Sequence, residues 1–297
     1  MSAPAKSRGD GHEVVGARAA APLGSRSCQV VGNVASGGYR IVSALDSTAV
    51  EPRAGQFYML RTGEGWGGGG ERPYLPRAFS VARWDRSRDG VRLDFLLEAV
   101  GPGTARLAGL AEGDGLTITG PLGNTFSTPR QLNPDAAGAI LVGGGIGAAP
   151  LAVLRRELSG RGVPVRTLLG FRDEAHSGGL DLFGCTELRL ASEDGHAGHT
   201  GYVTELLSKL LTGDSSKTAA VYSCGPPGML EAVRAMCAER EVPCELAMES
   251  PMACGYGACF GCAVPVVGGG YIRLCVDGPV VRGDRVETAL VRGSGHG

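Results

Sequence analysis

The hydrophobic pattern changes its period twice along the chain. From residue 27 to about residue 126 the apolar positions come in short runs separated by turn residues, with almost no helical period. Residues 27–41 read as strand material turning at Gly37-Gly38, and Gln56-Phe57-Tyr58-Met59-Leu60 reads as another short strand. Residues 77–82 and 91–100 read as further strands. Leu116-Thr117-Ile118-Thr119 is the last, followed by a turn at Gly120-Pro121-Leu122-Gly123. Such spacing predicts a small antiparallel barrel. Residues 63–70 hold six glycines in eight positions and read as an exposed loop.

Near residue 130 the character changes. Residues 131–138 look like a linker, and Ala139-Ile140-Leu141-Val142 is a continuous apolar run suited to a strand buried in a parallel sheet. A helix is expected around 150–159 and a strand over 163–169. Residues 187–192, 202–211 and 219–223 continue the alternation, with a helix over 228–239. Strand alternating with helix is the signature of a doubly wound α/β domain. From about residue 243 the pattern breaks into a cysteine-rich loop and a short strand-rich end. The reading is multi-domain: a tail over 1–26, an antiparallel β-barrel over 27–130, an α/β doubly wound domain over 131–243, and a small cysteine-centred domain over 244–297.

The length of 297 residues admits this division. A chain that is 43% hydrophobic and 20% charged is globular, which excludes wholesale disorder. Its 29 basic and 30 acidic residues nearly cancel, so nothing global favours nucleic acid or an anionic membrane surface. No apolar run reaches the roughly 18 residues of a membrane span. The first 25 residues lack an apolar signal core and read as a tail, so a cytoplasmic location is expected.

In a reducing compartment nine cysteines do not make a disulfide scaffold. Cys28, Cys185, Cys224, Cys237 and Cys244 are scattered and read as small buried hydrophobes. Cys254, Cys259, Cys262 and Cys275 cluster with the spacing C-x4-C-x2-C-x12-C. C-x4-C-x2-C with a distant fourth cysteine is the plant-type [2Fe–2S] pattern. Gly255, Gly257 and Gly261 let the loop turn sharply and aim N–H groups at the sulfurs. Zinc is the competing reading, but zinc knuckles favour paired C-x2-C units and only one is present.

Between the buried strand and its helix stands Gly143-Gly144-Gly145-Ile146-Gly147. Backbone N–H groups and a helix N-terminus there would face an anion such as a dinucleotide pyrophosphate. The spacing is not a strict G-x-G-x-x-G, and glycine turns also serve packing alone. A second element, Cys224-Gly225-Pro226, also follows a strand and opens a helix. In the barrel, Arg77-Ala78-Phe79-Ser80 joins a cation, an aromatic and a hydroxyl on one strand, with Arg77 and Phe79 on one face and Ala78 and Ser80 on the other. An ordinary strand with an exposed Arg fits these residues equally well. Gly103-Thr104 offers backbone N–H groups. His176, His196 and His199 show no metal spacing and read as solvated.

Barrel, nucleotide domain and cysteine loop in this order resemble the electron-transfer subunits of NAD-dependent dihydroorotate dehydrogenases, within the ferredoxin–NADP reductase superfamily. The resemblance covers about residues 27–290 and is most specific from Met252 through Cys262 and from Leu274 to Val280. It implies FAD held by Arg77, Ala78, Phe79 and Ser80, by Leu96, Leu97 and Glu98, and by Gly103 and Thr104. It implies NAD at Gly143, Gly144, Gly145 and Gly147 with Cys224, Gly225 and Pro226. It implies a [2Fe–2S] cluster on Cys254, Cys259, Cys262 and Cys275. Ala78 departs from the Pro common in the family, and the 63–70 loop and the tail look extra.

A nicotinamide exchanges hydride while a [2Fe–2S] cluster handles single electrons, and a flavin converts between them. The chain therefore reads as an electron relay whose carbon substrate belongs to another protein. By resemblance that partner is the FMN-containing dihydroorotate dehydrogenase subunit, in a heterotetramer. A reductase serving a different acceptor is the nearest rival, and an iron–sulfur redox sensor is a rival of another class. Tyr256 and Phe260 are placed to dock a partner, with Tyr256 packing inward as the alternative. Arg172 near the second strand would suit a 2′-phosphate, but the adjoining Asp173 and Glu174 favour NAD.

Overall fold

The computed structural model describes residues 24–291 apart from 49, 68–72, 185–187 and 213–216. Residues 1–23 of the tail, Cys185 and part of the 63–70 loop therefore lie outside the described residues, and Arg26, expected in the tail, already begins the first strand.

Short strands with inward apolar positions close into a barrel. They are β1 (Arg26–Ser36), β2 (Tyr39–Asp46), β3 (Phe57–Thr62), β4 (Arg77–Arg86), β5 (Val91–Leu97) and, after helix α1 (Pro102–Ala108), β6 (Gly115–Leu122). The order around the barrel is β1-β2-β5-β4-β3-β6, all antiparallel. Tyr58, Leu60, Leu93, Phe95, Leu116 and Ile118 fill it. Residues 120–122, expected as a turn, continue β6, with Leu122 opposite Phe57. Pro121 lacks a donor, and it sits where the β3–β6 register slips, so no regular ladder bond is forfeited.

A single helical turn α2 (Pro129–Leu132) leads into β7 (Gly138–Gly144). There follow α3 (Ala149–Ser159), β8 (Val165–Phe171), β9 (Leu188–Ser192), β10 (His199–Thr200), α4 (Val203–Leu210), β11 (Ala219–Cys224), α5 (Pro227–Glu239) and β12 (Cys244–Ala247). The sheet order is β10-β9-β8-β7-β11-β12, all parallel. The sheet thus runs past residue 243: β12 is one of its strands, because Glu245 and Leu246 bury against β11. After β13 (Ala263–Pro265), β14 (Tyr271–Arg273) and the turn α6 (Leu274–Asp277), β15 (Val280–Arg282) returns antiparallel to β12. The cysteine segment is therefore an excursion from the edge of the nucleotide sheet. This architecture is an antiparallel barrel, a doubly wound domain and a small cysteine module.

Helix α3 is buried over most of its surface because it is wedged between that sheet and the barrel. Ala54 N–H donates to Glu157 Oε1 at 2.9 Å, and Arg156 lies 4.9 Å over the Trp84 ring. These contacts fix the two larger units side by side.

Candidate functional site where three units meet

Strands β4 and β5 pair only from Val81↔Phe95 onward. Residues 77–80 therefore keep β3 on one edge and lose β5 on the other. A cavity of about 510 Å³ opens where the strands part. Its lining takes in Arg77, Ala78, Phe79 and Ser80 on one side, and Leu96, Glu98 and Thr104 on another. Both faces of the 77–80 strand reach it, so the simple two-face division does not apply at this frayed end. Leu97 instead points into the barrel core and is 1% exposed. The Arg77 guanidinium lies across Gly103, where a Cβ would come within 2.9 Å, and sits 5.8 Å from the Trp66 ring. The Thr104 hydroxyl is committed to its own helix start, accepting N–H of Val100 and Gly101 at 2.9 and 3.0 Å. A fixed cation and the Ser80 hydroxyl among apolar walls suit a large, mostly apolar ligand bearing an anion, as a flavin dinucleotide does.

The other walls come from distant sequence. Gly147 lies in the turn after β7 and Cys224 ends β11, while Met248, Ser250, Met252, Ala253 and Gly261 belong to the approach and end of the cysteine loop. Residues 248–251 carry no ligand signal of their own in the sequence, and they reach this place only because β12 delivers them to it.

Chain order reverses between β7 and β11, and ligands of open α/β sheets bind at such a switch point. Cys224 and Gly143 are register partners there, so both sequence elements end together. The approach is closest between Gly147 and Gly225: a Cβ on Gly147 would lie 2.5 Å from Gly225 Cα, so a side chain is excluded. Gly143 is packed against Leu169 and Leu151 and reaches neither cavity. Gly225 likewise supports the turn from behind, against Met229 and Gly144. A second cavity, of about 560 Å³, lies on the far side of the turn. Gly144, Gly145 and Pro226 line it, with Arg172, His176 and Glu193 opposite. His176 is not a solvated bystander. Its Nδ1 is 2.5 Å from Asp173 Oδ1 and its Nε2 is 2.7 Å from Arg172 Nη2. His196 and His199 are also partnered, with Asp194 at 2.8 Å and Glu205 at 2.7 Å.

In the cysteine loop Gly255 and Gly257 take φ of 79° and 88°, a region closed to most side chains. This folds the loop so that the sulfurs form two pairs. Cys262 Sγ is 3.2 Å from Cys275 Sγ, and Cys254 is hydrogen-bonded to Cys259. Burial pushes the Cys254 thiol up, but N–H groups of Cys259, Tyr256 and Ala258 and the Cys259 thiol outweigh it and leave it at about 6. Burial and then the Cys262 thiol raise Cys275 to about 12. The Cys254 charge also contributes to raising Cys275. Among the described residues no three ligand side chains group around one metal ion. Two thiol pairs with N–H donors aimed at sulfur fit a two-iron cluster, with two thiolates per iron, better than a single tetrahedral zinc. Cys28, Cys224, Cys237 and Cys244 are buried and free.

Barrel, switch-point turn and thiolate module together define a class, the modular reductases of the ferredoxin-reductase type. An NADH-dependent reduced ferredoxin–NADP oxidoreductase studied for flavin-based electron bifurcation matches with a TM-score of 0.73 at 28% identity, over 88% of this chain and 90% of that one. Phthalate dioxygenase reductase, described as a modular structure for electron transfer from pyridine nucleotides to [2Fe-2S], shares the fold at a TM-score of 0.57 and 17% identity, over 90% and 96% of the two chains. Residues 249–287 match the iron-sulfur cluster binding domain of dihydroorotate dehydrogenase B. The dihydroorotate dehydrogenase B (NAD(+)) electron transfer subunit of Listeria welshimeri is 34% identical over 238 residues, 78% of this chain and 87% of that protein. That of Clostridium acetobutylicum is 36% identical over 236 residues, 80% and 87% of the two. The chain belongs to this family of electron transfer subunits.

Proposed function

We propose that the chain relays electrons between NAD and a separate catalytic dihydroorotate dehydrogenase subunit, in the formation of orotate. The observation that carries this reading is the meeting of three units at the first cavity, where barrel strand 77–80, switch-point turn and cysteine loop share one wall system. When bound, a nicotinamide exchanges a hydride, a [2Fe–2S] cluster takes single electrons, and FAD between them supplies the conversion. The protein's own part is placement. Arg77 neutralises the FAD pyrophosphate, Phe79 and Leu96 exclude water, and Gly147 keeps the turn thin between the two cavities. Cys254, Cys259, Cys262 and Cys275 hold the cluster beside the first cavity, which reaches Gly261.

The FMN-containing catalytic subunit, two copies with two of this chain, is the proposed partner, and the proposed location is the cytoplasm. Among the described residues no helix is long and apolar enough to cross a membrane. Tyr256 is 58% and Phe260 63% exposed beside the cysteines, which favours the docking arrangement over inward packing. Metal and labile-sulfide analysis of purified protein tests the reading. Two irons and two sulfides per chain are expected, and Cys259→Ser is expected to lose most of both. Zinc without sulfide would refute it.

A further inference from the structure

The positive charge at the first cavity is held without a counter-charge. Among the described residues the Arg77 side chain meets a carbonyl, a glycine and a ring, and no carboxylate. Its Nη1 donates to Leu75 O at 2.6 Å. A Cβ on Gly103 would lie 2.9 Å from Nη2 and 3.0 Å from both Cζ and Nε, so the guanidinium lies flat on that glycine. Its Cζ is 5.8 Å from the centre of the Trp66 ring, within the range of a cation–π contact. An acid placed there would order Arg77 but neutralise it before an anion arrived. An aromatic face orders a cation through its quadrupole and adds no net charge. The charge therefore stays available to the cavity that Arg77 lines.

Trp66 comes from the glycine-rich loop, whose sequence reads only as an exposed connection and which the family resemblance does not account for. Backbone contacts lay this loop down. Gly63 N–H donates to Gly115 O at 2.9 Å, the Thr62 hydroxyl donates to Glu64 O, and Gly67 N–H donates to Pro73 O at 2.8 Å. Gly65 takes φ of 69°, and a Cβ there would come within 2.8 Å of Arg106 Nη1 on α1, so the turn needs a residue without a side chain. Between these glycines the partly buried Trp66 ring packs on the barrel core. Its indole N–H is buried and, among the described residues, has no hydrogen-bond partner. A buried donor left unpaired is a cost, so the site makes use of the ring and not of the polar atom. Of the contacts that fix Arg77, this is the one made by a side chain.

We infer that Trp66 is a positioning residue: the 63–67 loop lays its ring against Arg77 and holds the guanidinium in place, unneutralised, for the pyrophosphate of the flavin. This rests on the reading that Arg77 meets the FAD pyrophosphate. The loop is thus part of the flavin site although Trp66 itself does not line the cavity.

Dilution of the FAD-loaded full chain, with released flavin read by its fluorescence, gives the FAD dissociation constant without turnover. Trp66→Leu keeps an apolar side chain on the barrel but removes the ring, and is expected to weaken FAD binding by about fivefold. Trp66→Phe restores a ring without the indole N–H and is expected to stay within about twofold of the wild type. In an Arg77→Ala background, itself expected to be weaker, Trp66→Leu is expected to add no further loss, because the ring then has nothing to hold. Should Trp66→Leu fail to fold, Trp66→Met gives the same comparison. Affinity of Trp66→Leu within about twofold of the wild type, a Trp66→Phe protein as weak as Trp66→Leu, or an equal loss with Arg77 absent would each overturn the inference. Unchanged affinity in Arg77→Ala would instead remove the flavin assignment of the strand, and the inference with it.

Discussion

Arg77 shows how much one side chain can carry. It spans Gly103, stacks near Trp66 and donates to Leu75 O at 2.6 Å, so its charge is preset at the cavity wall before any ligand arrives. Losing a charge-assisted contact costs about 1.5–3 kcal/mol, roughly 10–150-fold in affinity. Arg77→Ala is expected to purify depleted of FAD, read from the flavin absorbance per chain. Full FAD occupancy with unchanged affinity would remove the strand's assigned role. Residue spacing made the four clustered cysteines readable without coordinates, because a tight loop must present thiolates at short fixed intervals. It did not show that the Leu97 side chain faces the barrel core or that Glu193 reaches the second cavity. Leu97 turns inward by strand alternation near the end of β5, and Glu193 acquires its place only through parallel pairing across the sheet.

At the scale of elements, most strands and helices follow from apolar period and turn residues, and the departures have local causes. Residues 120–122 stay in β6 since a register slip absorbs the proline. The sheet claims β12 because a buried edge position outweighs its nearness to the cysteines. Residues 288–289 are tied to α5 by a carboxylate: Glu231 accepts from Arg234, from Thr288 Oγ1 at 3.0 Å and from Ala289 N–H at 2.6 Å. Hydrogen bonding from Arg234 is the main cause that lowers Glu231 from 4.5 to about 2. A folded-state value below the unfolded one means stability that is complete above about pH 4.5 and lost as pH falls through 2. Glu231→Gln is expected to lower unfolding free energy at pH 7 by about 1 kcal/mol, allowing for solvent screening. Denaturant melts of the two proteins should converge between pH 4.5 and 2. A gap that stayed constant over that range would argue against the carboxylate as the tether.

At the scale of the whole molecule, the two cavities described above share the switch-point turn, and the cysteine loop presents exposed rings beside the first. Phe260 holds φ at 57° and keeps its ring outward, 5.1 Å beneath the Arg273 guanidinium. Its backbone conformation is unusual for a non-glycine residue, so the loop displays the ring rather than burying it. Phe260→Asp is expected to weaken binding of the catalytic subunit by tenfold or more, since a buried charge is costly at an interface core, and to leave NADH-to-dye reduction nearly unchanged. Equal affinity in a sedimentation or titration assay would move the docking surface elsewhere.

In the proposed relay this chain exchanges electrons with the nicotinamide, in either direction, while the carbon substrate is handled by another subunit. The most direct measurement is anaerobic titration of the isolated, cofactor-loaded chain with NADH and, separately, with dihydroorotate, followed by visible absorbance and electron paramagnetic resonance. NADH is expected to bleach the flavin and produce a reduced-cluster signal, and dihydroorotate to do neither until the catalytic subunit is added. Reduction of the isolated chain by dihydroorotate, or no response of the chain to NADH, would contradict it.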